Sequence, residues 1–188
     1  MNAQPTRPTL HMPRLTLRPF ELADAARLTS LAGTREVAAT TLRVPHPYPP
    51  DAAAAWIARH AQQFEAGAEL TLAITLTATG ELVGSIGLVL DAEHGLGKLG
   101  YLIGHSYWNK GYATEATREL LRYGFGELRL NRVYAEVFAG NDASSRVLTK
   151  CGMRLEGRLR QHVRKWGQYI DILVYGILAE EFAAAAQF

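Results

Sequence analysis

The residues Trp108-Asn109-Lys110-Gly111-Tyr112-Ala113-Thr114 stand between a strand-like run and the strongest helical pattern of the chain. The first turn of a helix offers backbone N–H groups with no intrahelical partner, at the positive end of the helix dipole. Gly111 and Ala113 are small enough to let a phosphate approach the main chain, and Lys110 adds a cation. This turn is a candidate pyrophosphate site, although an ordinary strand-to-helix turn uses the same residue types. A second glycine cluster, Gly95-Leu-Gly97-Lys-Leu-Gly100, spells the dinucleotide fingerprint G-x-G-x-x-G. Its context is reversed. The fingerprint follows a strand and opens a helix, whereas here a loop leads into a strand. Cys151 sits at a helix end with no histidine partner in view, which suits a buried structural thiol better than a nucleophile. The six histidines show no H-x-x-x-H or similar spacing, so no metal is expected. Arg158, Arg160, Arg164 and Lys165 crowd a polar segment that reads as a solvated hairpin or as a surface for acidic groups.

Composition narrows the class. The chain has 188 residues, 48% hydrophobic and 20% charged, which are globular values and suit one domain. At this size roughly 70% of the unfolded surface is removed from water on folding. Lys+Arg 20 against Asp+Glu 18 leaves +2, too balanced for a protein dedicated to phosphate backbones. Neither nucleic acid nor membrane is therefore an expected partner. A single cysteine forbids an internal disulfide and points to a reducing compartment, with the cytoplasm as the default. Met1–Pro13 lacks the apolar segment of a secretory signal, and no run approaches the roughly 20 apolar residues of a membrane span.

The elements that must position these residues alternate in period. Leu15–Arg18 reads as a strand stopped by Pro19, and Glu21–Ala32 as a helix ended by Gly33. Arg43–Pro50 carries four prolines and must be an irregular loop. Asp51 can cap a helix whose face is Ala53, Trp56, Ile57, His60 and Phe64. Leu70, Leu72, Ile74 and Leu76 alternate as a half-buried strand, and Leu82–Leu90 completes a hairpin. Strand Lys98–Gly104, helix Ala113–Leu128, strand Val133–Phe138 and helix Ser144–Cys151 follow, with Gly152 closing the last helix. Two terminal strands, Met153–Leu159 and Tyr169–Leu178, flank a polar turn at Gln161–Gln168. Ala183–Phe188 reads as a frayed helix end. The sum is a single α/β domain on a central mixed sheet.

The stretch Leu99-Gly-Tyr-Leu-Ile-Gly-His-Ser-Tyr-Trp-Asn-Lys-Gly-Tyr-Ala-Thr-Glu-Ala resembles the acetyl-CoA-binding motif of the GNAT acetyltransferase superfamily. Within it the chain is similar to the RimJ/RimL branch, which acetylates protein N-terminal amines, together with small-amine relatives. Further segments resemble that branch in the same order. They are Leu15-Thr-Leu-Arg18-Pro19-Phe20 with Ala23-Asp24-Ala25, Pro45-His-Pro-Tyr48-Pro, Asn141-Asp-Ala-Ser144-Ser-Arg-Val-Leu-Thr-Lys150-Cys-Gly152-Met, and Glu156-Gly157-Arg158-Leu-Arg160 with Asp171. Two positions depart from the wider superfamily: Trp108 stands where many members carry Gln or Arg, and Leu148 where many carry an acidic tyrosine.

The resemblance implies a mostly antiparallel mixed sheet flanked by about four helices, occupying residues 14–180 between tails at 1–13 and 181–188. It implies direct transfer from acetyl-CoA to a primary amine, on a protein N-terminus or a small molecule, without a metal. It places the pantetheine arm along Tyr101, Leu102 and Ile103, with a main-chain N–H near Ile103 for the oxyanion. The diphosphate falls to Trp108, Asn109, Lys110, Gly111, Tyr112, Ala113 and Thr114, and Asn141 also contacts the cofactor. Ser144 matches the family serine that can protonate the leaving sulfur. Glu136 matches an acidic position that acts as base through water, with His105 as its competitor. A homodimer stays open, as does a non-catalytic acyl-CoA-binding module.

Overall fold

The computed structural model describes residues 6–185. Its strands are β1 (Leu10–His11), β2 (Leu15–Arg18), β3 (Glu69–Leu76), β4 (Leu82–Asp91), β5 (Leu96–Ile103), β6 (Arg132–Phe138), β7 (Arg154–Lys165) and β8 (Gln168–Leu178). They form one sheet in the order β1-β2-β3-β4-β5-β6-β8-β7. Every pairing is antiparallel except β5 with β6, so the sheet is mixed and mostly antiparallel. The helices are α1 (Ala25–Ala32), α2 (Arg35–Thr40), α3 (Ala52–Ala58), α4 (His60–Glu65), α5 (Tyr112–Gly126), α6 (Asp142–Lys150) and α7 (Ala179–Ala185).

Helices cover both faces of the sheet, and β3 shows how. Leu72 and Ile74 point to the cluster that holds Leu120 and Leu121 of α5. Ala73 points the other way, to Leu28 and Leu31 of α1 and to Ala53 and Ile57 of α3. This is the period-2 alternation of a strand buried on both sides. Full burial of leucines of this kind contributes about 2 kcal/mol each.

Several elements depart from the sequence reading. About four helices were expected; among the described residues there are seven α-helices, because α2 and α7 are added and the helix after Asp51 breaks at Arg59. The side chain of Asp51 makes no capping bond. Leu10 and His11, within the expected N-terminal tail, pair with β2, and Leu10 is buried. The expected turn at Gln161–Gln168 is largely strand. β7 continues to Lys165, and only Trp166 and Gly167 turn, both at positive φ. The proposed frayed end is helical to Ala185, and residues 186–188 lie outside the described residues. No helix among the described residues is long and apolar enough to cross a membrane.

The feature that positions the site is a parting in the sheet. β5 and β6 are in register from Leu96↔Arg132 to Leu99↔Ala135, and the pairing ends there. β5 runs on to Ile103, paired with β4, and β6 runs on to Phe138, paired with β8. A wedge therefore opens between two central strands.

Candidate active site

A groove of about 360 Å³ lies at the end of the wedge, between the β5 end, the N-terminus of α5 and α6. Gly111 adopts φ 80° as the residue before α5, and Asn109 adopts φ 60°. Gly111 is suited to that left-handed backbone because it has no Cβ. Tyr112, Ala113 and Thr114 line the groove, and the N–H groups of this first turn have no helical carbonyls to meet them. Arg14, which sequence reasoning missed, holds the turn in place. Its Nε donates to Glu115 Oε2 at 2.7 Å and its Nη1 to the Lys110 carbonyl at 3.0 Å. Its guanidinium also lies over the Tyr112 ring, 5.3 Å from the centroid. Trp108 braces the strand: its Nε1–H donates to the Ile103 carbonyl at 2.7 Å.

Of the expected cofactor residues, Tyr101, Leu102, Ile103, Trp108, Asn109, Gly111, Tyr112, Ala113, Thr114 and Asn141 line this groove. Lys110 does not. Its ammonium sits over the Tyr107 ring, 5.2 Å from the centroid. The cations in the groove are instead Arg146 and Lys150. They lie four residues apart on α6, so they share a helix face. That spacing was legible, but only with the knowledge that α6 faces the loop.

A second cavity of about 690 Å³ is lined by β4, β5 and β6 and by residues of α1 and α3. Tyr48, Trp56 and Phe138 give it aromatic walls. Its ionisable groups are of both signs: Arg43, Arg59, Glu69, Lys98 and Glu136. Glu136 faces this cavity from β6, with one carboxylate oxygen 2.7 Å from Lys98 Nζ. Glu69 accepts from Thr71 Oγ1 at 2.6 Å. The outer wall, Thr41–Pro50, is held from a distance. Lys165, at the tip of the β7–β8 hairpin, buries its ammonium and donates to the carbonyls of Val44 at 2.8 Å and Leu42 at 3.3 Å. Burial pulls its pKa below the usual lysine range.

The two cavities share Thr40, Thr41, Tyr101, Leu102, Asn141 and Ser144. Asn141 caps α6, its Oδ1 accepting from the Ser144 N–H at 3.2 Å. Ser144 Oγ is 2.7 Å from the Tyr101 hydroxyl. This contact spans 43 residues of sequence, and the expected role of Tyr101 was its backbone only. Burial pushes the Tyr101 pKa up to about 12, so it is a neutral phenol at physiological pH. A phenol is a stronger donor than an alcohol. With the phenolic hydrogen directed to Ser144 Oγ, the serine's own hydrogen is free to point elsewhere.

Other expectations are placed as follows. His105 is exposed in a 3-10 turn, edge-on to Trp108 with centroids 4.8 Å apart, and lines neither cavity. Cys151 is buried, and burial pushes its thiol up to about 11, a poor nucleophile at neutral pH. Gly97 and Gly100 lie inside β5 rather than before a helix, so the G-x-G-x-x-G reading as a nucleotide site is excluded.

Comparison with known proteins agrees with this geometry. The model of the acetyltransferase (GNAT) domain matches residues 14–154. The chain belongs to the GNAT acetyltransferase family. It is 33% identical over 177 residues to the uncharacterized N-acetyltransferase p20 of Bacillus licheniformis, covering 93% of this chain and 98% of that protein. The crystal structure of a GNAT-family acetyltransferase from Bacillus anthracis superposes with a TM-score of 0.81 at 26% identity, covering 92% of this chain and 99% of that one. A ribosomal-protein-S5-alanine acetyltransferase from Vibrio fischeri shares the fold, with a TM-score of 0.82 at 15% identity over 93% of this chain and 98% of that one. This GNAT protein is thus an N-acetyltransferase, with a single α/β domain built on the expected sheet.

Proposed function

We propose that this enzyme, through a catalytic unit spanning residues 14–180, moves the acetyl group of acetyl-CoA directly to a primary amine. Its preferred acceptor is a protein or peptide α-amine rather than a lysine-like amine. One observation carries the reading: two cavities of different chemistry meet at Tyr101, Leu102, Asn141 and Ser144. A donor in one and an acceptor in the other can meet there.

In the groove, the N–H groups at the start of α5 would hold the diphosphate, with Arg146 and Lys150 beside it. The β5 edge from Tyr101 to Ile103, free of β6, can pair with the amides of the pantetheine arm. The amine nitrogen attacks the thioester carbonyl carbon, forming the C–N bond. The carbonyl oxygen gains charge, which a main-chain N–H near Ile103 can stabilise. The C–S bond then breaks, and the thiolate takes a proton for which Ser144 is the candidate donor. The nitrogen sheds its proton to Glu136, directly or through water.

Lys98 already engages one Glu136 oxygen, which leaves the other to meet the amine or a bridging water. An acceptor that needs little help suits such a site. An α-amine with pKa about 8 is partly neutral at pH 7, whereas a lysine near 10.4 is almost wholly charged. The test is release of free thiol from acetyl-CoA against a panel of α-amines and lysine-side-chain amines. Wild type should turn over α-amines faster. Ser144→Ala should lower kcat roughly tenfold or more, while the KM for acetyl-CoA stays within about twofold. Unchanged kcat would remove Ser144 from the donor role.

A further inference from the structure

Strand interiors disfavour glycine, which loses more chain entropy than other residues and brings no side chain to pack. Yet β4 and β5 set Gly87 directly opposite Gly100 in the middle of the sheet. The two glycines have different causes. A Cβ on Gly87 would lie 2.6 Å from the Leu70 carbonyl oxygen and 2.9 Å from Thr71 Oγ1, so the approach of β3 demands it. A Cβ on Gly100 would meet no atom within 4 Å, and the backbone there is not left-handed. Neither packing nor conformation explains Gly100.

The open space above Gly100 belongs to the larger cavity. Lys98, Gly100 and Leu102 alternate along β5 and share one face. Leu102, packed with Ala32 and Val37, stands where cavity and groove meet. Lys98 is fixed by Glu136. Gly100 lies between them, about 7 Å from each along the strand. An amine that approaches Leu102 through this cavity from the Lys98 side passes over Gly100.

We propose that Gly100 is the floor of an acceptor subsite, and that its bare backbone makes room for the groups on the amine-bearing carbon. A peptide α-carbon carries both a side chain and a carbonyl there, whereas an unbranched alkylamine carries a single chain. The subsite thus admits the first residue of a peptide. This inference rests on the acetyl-transfer reading above.

The test uses the purified full chain with acetyl-CoA and two acceptors, the tripeptide Leu-Ala-Ala with a free N-terminus and n-propylamine. The readout is the ratio of their kcat/KM values. Gly100→Leu should lower the tripeptide-to-propylamine ratio at least tenfold. Gly100→Ala, which adds one carbon into open space, should lower it about threefold and guards against a folding defect in the larger variant. An unchanged ratio in both variants overturns the subsite while leaving acetyl transfer intact. Wild-type turnover of propylamine but not of the tripeptide overturns the peptide assignment alone. Wild-type turnover of neither overturns the acceptor reading, and this inference with it.

Discussion

The groove proposed for the donor draws first on the main chain, through the first N–H groups of α5 and the free edge of β5, with the Arg146 and Lys150 side chains beside them. The cavity proposed for the acceptor takes its polar groups from side chains scattered over β3, β5, β6 and the loop before α3. Main-chain groups are the same whatever the sequence, so that part of the groove depends on a backbone path, set by Gly111 and braced by Arg14 and Trp108. Side-chain walls can change residue by residue without disturbing that path. Under the proposed assignment, the acceptor walls can vary while the donor path stays fixed, although both cavities share Tyr101 and Leu102.

The sharpest way to break this contrast is to attack the backbone path. Gly111→Val forces a β-branched residue into φ 80°, a conformation strongly unfavourable for it. Acetyl-CoA affinity by calorimetry should fall at least a hundredfold, with the melting temperature of the unliganded protein much less affected. Retained affinity would mean that the turn does not hold the diphosphate. A milder test addresses the acceptor side alone. Lys165→Met removes both bonds that pin the Leu42 and Val44 carbonyls. The acceptor KM should rise about fivefold, while the acetyl-CoA KM stays within about twofold, as expected when binding of one substrate is weakened. Equal changes in both would show that the two sites are not built independently.

The smallest effect concerns stability. His60 is buried against Phe20 and Trp56, and neither ring nitrogen has a hydrogen-bond partner among the described residues. Burial lowers its pKa to about 4, with the nearby Arg7 and Arg59 charges adding to the shift. Above pH 6.5 the folded and unfolded chains both hold it neutral, and it contributes no pH dependence. Between pH 6.5 and about 4 only the unfolded chain takes the proton, so stability falls as pH falls, by at most about 1.4 kcal/mol per pH unit. Urea midpoints at pH 7 and pH 5 should therefore differ less in His60→Phe than in wild type. The same slope in both would acquit this histidine.

The contrast also explains what was legible in the sequence. The donor loop is contiguous from Leu99 to Ala116, so its types and spacing could be read directly. The acceptor wall is not contiguous. α2 spans only Arg35–Thr40, too short to show a helical period. β7 is exposed on both faces along most of its length, which erases the alternation that marks a strand and made its second half look like a turn. The Tyr101–Ser144 hydroxyl pair and the grip of Lys165 on Val44 join residues 43 and 121 positions apart. No local pattern encodes such contacts.

The parting of β5 from β6 also bears on solvent exchange. A strand with neighbours on both sides is ordinarily the last to trade its amide hydrogens for deuterium. β5 lies in the middle of eight strands, yet from Gly100 to Ile103 it has β4 on one side and no β6 on the other. The amides there that face the wedge should exchange as quickly as those of an outermost strand, and acetyl-CoA should slow them. The centre of this sheet would then report, amide by amide, whether its missing neighbour has arrived.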